Sequence, residues 1–182
     1  ELLYEAKDSN KLSQIYKSNI DGSGETLLTN RVNGPFNEVR LSPDGKYVLY
    51  TSLGASISEI YVLELLSNVV YKIASGPEAK NFYPTWSPDS TKIAYSSTFF
   101  KNGKYYSLIQ ISNIYGTNIK TLAVSTCYAT PVTWSPNSQR IAYLSGCRED
   151  HPPVEVWSID MAKPVPTNIF SGFLFYDPTY NN

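Results

Sequence analysis

One turn with its flanking strands is written three times in this chain. "VRLSPDGKYVLYTS" begins at Val39, "PTWSPDSTKIAYSS" at Pro84 and "VTWSPNSQRIAYLSG" at Val132. Each turn is chemically explicit. Ser42 suits the first position of a type I turn, Pro43 presets φ at the second, Asp44 suits the third, and Gly45 tolerates a positive φ. Ser87-Pro88-Asp89 and Ser135-Pro136-Asn137 keep the same chemistry, with Ser90 and Ser138 where the first copy has glycine. An alternating run follows every turn, with the period of two that marks a strand. A chain that repeats its hairpins is confined to architectures made of repeated units.

Two more strands follow each hairpin: "EIYVLEL" with "VVYKIA", "SLIQISNI" with "IKTLA", and "VEVWSID" with "TNIFSG". The unit is therefore four short strands, spaced 45 residues (Pro43 to Pro88) and then 48 (Pro88 to Pro136). Four strands per 40 to 50 residues is the period of a propeller blade. A fourth unit is split between the ends of the chain. "LLYEA" puts Tyr4 where the other units have Tyr50, Tyr95 and Tyr143, and "QIYKSNIDGSGETLLT" supplies two further strands around an Asp21-Gly22 turn. At the other end, Pro178-Thr179-Tyr180 of "YDPTYNN" aligns with Pro84-Thr85-Trp86.

The expected fold is all-β, a single propeller domain of four four-stranded blades over residues 1–182. Blade one takes 1–30 plus 173–182, blade two about 36–75, blade three about 81–124 and blade four about 129–172. The C-terminal segment with Phe173, Leu174, Phe175, Tyr176, Pro178 and Tyr180 is the candidate closure strand for blade one. It could be delivered in cis, or in trans to a neighbouring chain, giving a closed dimer or an open row of subunits.

"IDGSGETLLT" followed by "SPDGKYVLYTS", and "PTWSPDSTKIAYSS", resemble the repeats of the TolB-like (WD-like) β-propellers, also found in prolyl oligopeptidase and tricorn protease propellers. The resemblance covers nearly the whole chain and is specific for fold. Rings of this family usually have six or more blades, so four is a departure. It implies an extracytoplasmic scaffold that binds protein or peptide without a cofactor.

Cys127 and Cys147 flank the third hairpin. A hairpin centred on Asn137 would set them opposite each other on neighbouring strands, near disulfide distance. A disulfide is expected, and with it an oxidising compartment: periplasmic, cell-surface or secreted. Two thiols without further Cys or His ligands do not suit zinc.

Enzyme chemistry is not legible. The one histidine, His151, precedes two prolines in a loop, and no G-x-S-x-G elbow is present. The Asp21-to-Gly24 segment opens onto a strand rather than a helix, which argues against a phosphate loop, and it lacks the further oxygen ligands of a calcium loop. Fifteen basic and sixteen acidic residues leave a net charge of -1, so no nucleic-acid partner is expected. No apolar run approaches a membrane span, and no N-x-S/T sequon occurs. Glu1, with no initiator Met or signal peptide before it, reads as the start of a processed or trimmed chain.

Among the 15 tyrosines, most of those in strands are expected to pack within and between blades. Phe99, Phe100, Tyr105 and Tyr106 flank the turn "KNGK" and form a candidate aromatic patch for peptide or sugar, while Glu38 and Arg40 lie near the channel rim. The expected function is a non-enzymatic protein-interaction or scaffold module. The alternative is a structural subunit assembling with copies of itself through its C-terminal strand. A third reading is the propeller piece of a larger peptidase.

Overall fold

In the computed structural model the described residues are 1–11, 13–29, 36–53, 58–73, 80–147 and 155–172. They form β-strands and turns in four antiparallel sheets, and none of them lies in a helix long and apolar enough to cross a membrane. Blade one contains β1 (Leu2–Lys7), β2 (Ser13–Ser18) and β3 (Thr26–Leu27). Blade two contains β4 (Phe36–Leu41), β5 (Tyr47–Leu53), β6 (Ser58–Glu64) and β7 (Val70–Ile73). Blade three contains β8 (Lys80–Trp86), β9 (Lys92–Lys101), β10 (Lys104–Asn113) and β11 (Lys120–Ser125). Blade four contains β12 (Val132–Trp134), β13 (Arg140–Ser145), β14 (Glu155–Asp160) and β15 (Pro166–Ser171). Within each sheet the strands pair in chain order, and this is a four-bladed propeller architecture. Blade one shows three strands among the described residues, and its candidate closure strand, 173–182, lies outside them.

The core lies in three clusters between successive blades, so the sheets of blades two and three pack on both faces. Leu49, Ile60, Val62 and Ile73 of blade two meet Trp86, Ile93 and Tyr95 of blade three. Ala94, Ile109 and Ile111 of blade three meet Val132, Ile141 and Tyr143 of blade four. Ile15 of blade one meets Phe36, Val48, Tyr50 and Leu63 of blade two. Alternation along β9 thus sends Ile93 and Tyr95 toward blade two and Ala94 toward blade four.

The three repeated turns are hydrogen-bonding hubs. The Ser42 hydroxyl donates to Asp44 Oδ1 at 2.7 Å and accepts the Tyr47 N–H at 3.0 Å. Ser87 repeats this with Asp89 and Lys92, and Ser135 with Asn137 and Arg140. The turns also join one another. The Asp44 N–H donates to Ser90 Oγ at 3.0 Å, and the Asp89 N–H to Ser138 Oγ at 3.1 Å. A second periodic link runs along the inner strands, where the Trp86 indole donates to the Arg40 carbonyl at 3.3 Å and the Trp134 indole to the Thr85 carbonyl at 3.4 Å. The Ser-Pro-Asp/Asn turns therefore pave one end of the propeller. The β9–β10 hairpin tip and the connections between blades occupy the other.

A disulfide joins Cys127 and Cys147, with Cα atoms 4.8 Å apart. The route to it differs from the expected one. Val132 pairs with Tyr143 and Trp134 with Ile141, one residue away from the expected register, and the ladder stops at Val132. Cys127 therefore lies not on a strand facing Cys147 but in the connection from β11 to β12. Side-chain bonds hold that connection in place: the Thr126 N–H donates to Ser145 Oγ, and the Gly146 N–H to Thr126 Oγ1. The disulfide staples the exit of blade three to blade four. Closing a loop of this size contributes about 3 kcal/mol in the chain-entropy account.

Candidate functional site

The end of the propeller opposite the repeated turns carries exposed aromatic rings in mutual contact. β9 and β10 meet in a two-residue hairpin whose central residues, Asn102 (φ 51°) and Gly103 (φ 77°), have the left-handed conformations of a type I′ turn. Tyr105 pairs with Phe100 in the second rung from the turn, with ring centroids 4.8 Å apart. Tyr105 meets Tyr128 at 4.9 Å, Tyr128 meets Phe82 at 5.5 Å, and Phe82 meets Tyr83 at 6.3 Å. The run extends from the hairpin tip to the start of the inner strand β8. Phe100 (61%), Tyr105 (51%), Tyr128 (49%) and Tyr83 (39%) are too exposed to be core.

Two features hold the run in place. Thr98 Oγ1 lies 2.7 Å from Ser107 Oγ and accepts the Ala129 N–H, while Ser107 donates to the Cys127 carbonyl. Those bonds and the disulfide fix the segment that bears Tyr128. At the other end, β8 carries a bulge between Phe82 and Thr85, and Tyr83 takes a φ of 53°. Bulges re-aim side chains at the rims of sheets.

The four aromatic residues singled out from sequence divide into two pairs. Phe100 and Tyr105 belong to the exposed run. Phe99 and Tyr106 stack on each other at 5.8 Å, on the opposite face of the same hairpin. Phe82, Tyr83 and Tyr128 were not legible as site residues, since only folding brings three separate segments together. The aromatic pair in "FYPTW" and the tyrosine beside Cys127 were the available signals. His151 and the candidate closure residues Phe173, Leu174, Phe175, Tyr176, Pro178 and Tyr180 lie outside the described residues.

Glu38 lies at the matching bulge of the inner strand β4, with a φ of 57°. Its carboxylate accepts the Tyr83 N–H at 3.1 Å and the Thr51 hydroxyl at 3.3 Å, bridging blades two and three. Burial pushes its carboxyl above the usual range, against the opposing pull of Arg40 and these two donors. The buried tyrosines Tyr95 and Tyr143 are pushed up to about 12, chiefly by burial, and stay protonated. Among the described residues no cluster of three or more His, Cys, Asp or Glu side chains could hold a metal ion.

No family model matches the chain. Curated relatives do: the Tol-Pal system protein TolB of Francisella tularensis strains is 28% identical over 114 residues, 63% of this chain and 24% of that protein. Solved structures agree. TolB from Acinetobacter baumannii superposes with a TM-score of 0.66 at 16% identity, covering 92% of this chain and 40% of that one. A putative TolB from Agrobacterium tumefaciens gives 0.65 at 23% identity, covering 94% and 62%. The fold is a β-propeller similar to that of TolB. The chain spans about a quarter of the length of the curated TolB proteins it matches. The propeller domain of the trilobed protease from Pyrococcus furiosus, which has an open velcro topology, also superposes (TM-score 0.63, 17% identity, 93% of this chain and 53% of that one).

Proposed function

We propose that this TolB-like propeller is a non-enzymatic, extracytoplasmic protein-interaction module, and that its recognition surface is the aromatic run from Phe100 to Tyr83. The observation behind the reading is the contiguity of that run. Its rings touch in sequence, all but the half-buried Phe82 are exposed, and a disulfide and a bulge anchor them. Aromatic side chains offer large contact area at low entropic cost and dominate binding hot spots. The disulfide supports an oxidising compartment, periplasmic, cell-surface or secreted. The TolB relatives, as proteins of the Tol-Pal system, support a protein partner.

Selection from a phage-displayed peptide library on the immobilised chain tests the reading. The expected result is a family of peptides whose binding is lost in the Phe100→Ala/Tyr105→Ala variant at an unchanged melting temperature. Selected peptides that bind the variant and the parent alike would overturn it.

A second reading, assembly of chains by donation of the C-terminal strand, draws on one specific observation. β1 is the first strand of a sheet that has one strand fewer than the others among the described residues. Light scattering after gel filtration tests it. Oligomers that dissolve on deletion of 173–182 support strand donation, and a monomer of 20.4 kDa contradicts it.

A further inference from the structure

We infer that the outward face of blade four packs on the outward face of blade one of a second copy of this chain, head to tail. The inference goes beyond the peptide-binding reading and does not need it. It also differs from strand donation, because it asks nothing of residues 173–182. It starts from an interface that the chain builds three times. In blades two, three and four the repeated tyrosine, Tyr50, Tyr95 or Tyr143, faces the preceding blade and is buried. The residue before it faces the following blade. Leu49 does so in the cluster shared with blade three and Ala94 in the cluster shared with blade four, and both are fully buried. Each blade thus has a tyrosine face and an opposite face, and the tyrosine face of one blade is covered by the opposite face of the blade before it.

The two ends of the series carry the two unmatched halves of that interface. Tyr4 holds the tyrosine position in blade one, opposite Tyr16 as Tyr50 is opposite Tyr61. Both pairs stack, with ring centroids 5.8 and 5.5 Å apart. Tyr50 shares a buried cluster with Ile15 of blade one, whereas Tyr4 and Tyr16 are only half-buried. Leu2, the counterpart of the fully buried Val48, is 44% exposed. On blade four, Ala142 stands where blades two and three have Leu49 and Ala94. The rung Leu144–Val156–Phe170 matches Thr51–Ile60–Ile73 of blade two. Those three blade-two residues are buried, but Ala142, Leu144 and Val156 are half-buried and Phe170 is 43% exposed. No buried cluster joins blade four to blade one among the described residues.

A second copy is the occupant because the three internal interfaces are already closed. They set the angle between successive blades, and the four blades superpose on part of longer TolB chains. Swinging blade four onto blade one of the same chain would open those clusters, whereas docking a second copy opens none. The faces also match in kind: an apolar rung meets a stacked tyrosine pair, as Ile15 and its neighbours meet Tyr50 and Tyr61. Such a contact is heterologous, so two copies close into a ring if the rotation allows, and otherwise form a row.

The test is the mass of the intact chain by analytical ultracentrifugation across a concentration series. Two single variants accompany the parent, Leu2→Lys on blade one and Phe170→Glu on blade four. Both positions are exposed in one chain, so both variants should melt with the parent when dilute and dissociated. The parent's mass should rise above 20.4 kDa with concentration. Each variant alone should need about tenfold more protein to associate, as loss of an apolar anchor at an interface does. An equimolar mixture of the two should recover association, because each mixed pair has one parental contact and one joining opposite charges. Deleting 173–182 should leave association in place. A mixture no better than its components would show that the two faces do not meet, and would overturn the inference. Association indifferent to both substitutions but lost with 173–182 would assign assembly to strand donation and overturn it too. A monomer at every concentration would also overturn it. If its melting temperature fell in each single variant and recovered in Leu2→Lys/Phe170→Glu, the two faces would meet within one chain.

Discussion

At the scale of single residues, the last position of each repeated turn shows what sequence alone conceals. Gly45, Ser90 and Ser138 all take a positive φ, of 74°, 60° and 58°. Glycine adopts that conformation freely and serine does so at a cost. Ser90 and Ser138 offset the cost as acceptors for the N–H of the preceding blade's turn. Ser90→Gly should therefore be nearly neutral, because relief of strain balances the lost acceptor. Ser90→Ala, which keeps the strain and loses the bond, should cost about 1 kcal/mol by urea unfolding. A Ser90→Ala variant as stable as the parent would show that the link between turns contributes nothing. The Ser-Pro-Asp/Asn turn chemistry was legible because it is local. The reach of Ser90 to a residue 46 positions earlier was not. The bond of Glu38 to the Tyr83 N–H, 45 positions away, was not legible either. A carboxyl held above its ordinary pKa contributes stability that is fully present below its unfolded pKa and is lost as pH rises through its folded pKa. Glu38→Gln keeps an acceptor for the Tyr83 N–H and removes that titration. As pH rises above about 4 and through the folded pKa of Glu38, the parent should lose stability relative to Glu38→Gln. A pH-independent difference in unfolding free energy, or one of opposite sign, would contradict the account.

At the scale of elements, blades fit by backbone proximity as well as by side-chain packing. Gly116, in the turn between β10 and β11, has a φ of 72°, and a Cβ there would stand 2.3 Å from the Lys72 carbonyl of blade two. Gly22, at a φ of 82°, has open space around its would-be Cβ. Gly22→Ala should cost about 1 kcal/mol from backbone conformation alone. Gly116→Ala adds a backbone clash between blades and should cost more than about 3 kcal/mol. Similar melting temperatures for the two variants would contradict this packing of blade two on blade three. Strand number and order were readable from alternation and turn residues, because each hairpin encodes itself. The register near Cys127 was not, since the bonds that end the β12 ladder and fold the connection toward Ser145 and Gly146 come from Ser125 and Thr126 of the preceding blade's exit. Two of the four aromatic residues picked from the hairpin, Phe100 and Tyr105, are exposed, and Tyr105 meets a ring outside it. The other two stack together on its opposite face.

At the scale of the whole molecule, the two ends of the propeller have different work. One is paved with repeated turns tied to each other by backbone-to-serine bonds, so its sequence is committed to packing and to holding the blades in register. The other gathers aromatic rings on a frame set by the disulfide and two bulges. More than nine-tenths of the chain superposes on part of larger TolB structures, with successive blades packed in chain order. The most direct measurement of the central claim is hydrogen–deuterium exchange of the intact chain with and without a library-selected peptide. Protection should appear in the β9–β10 hairpin around Phe100 and Tyr105 and in the Cys127-to-Thr130 connection, with the Ser42, Ser87 and Ser135 turns unchanged. Protection confined to those turns would put the binding surface at the wrong end of the molecule and contradict the account.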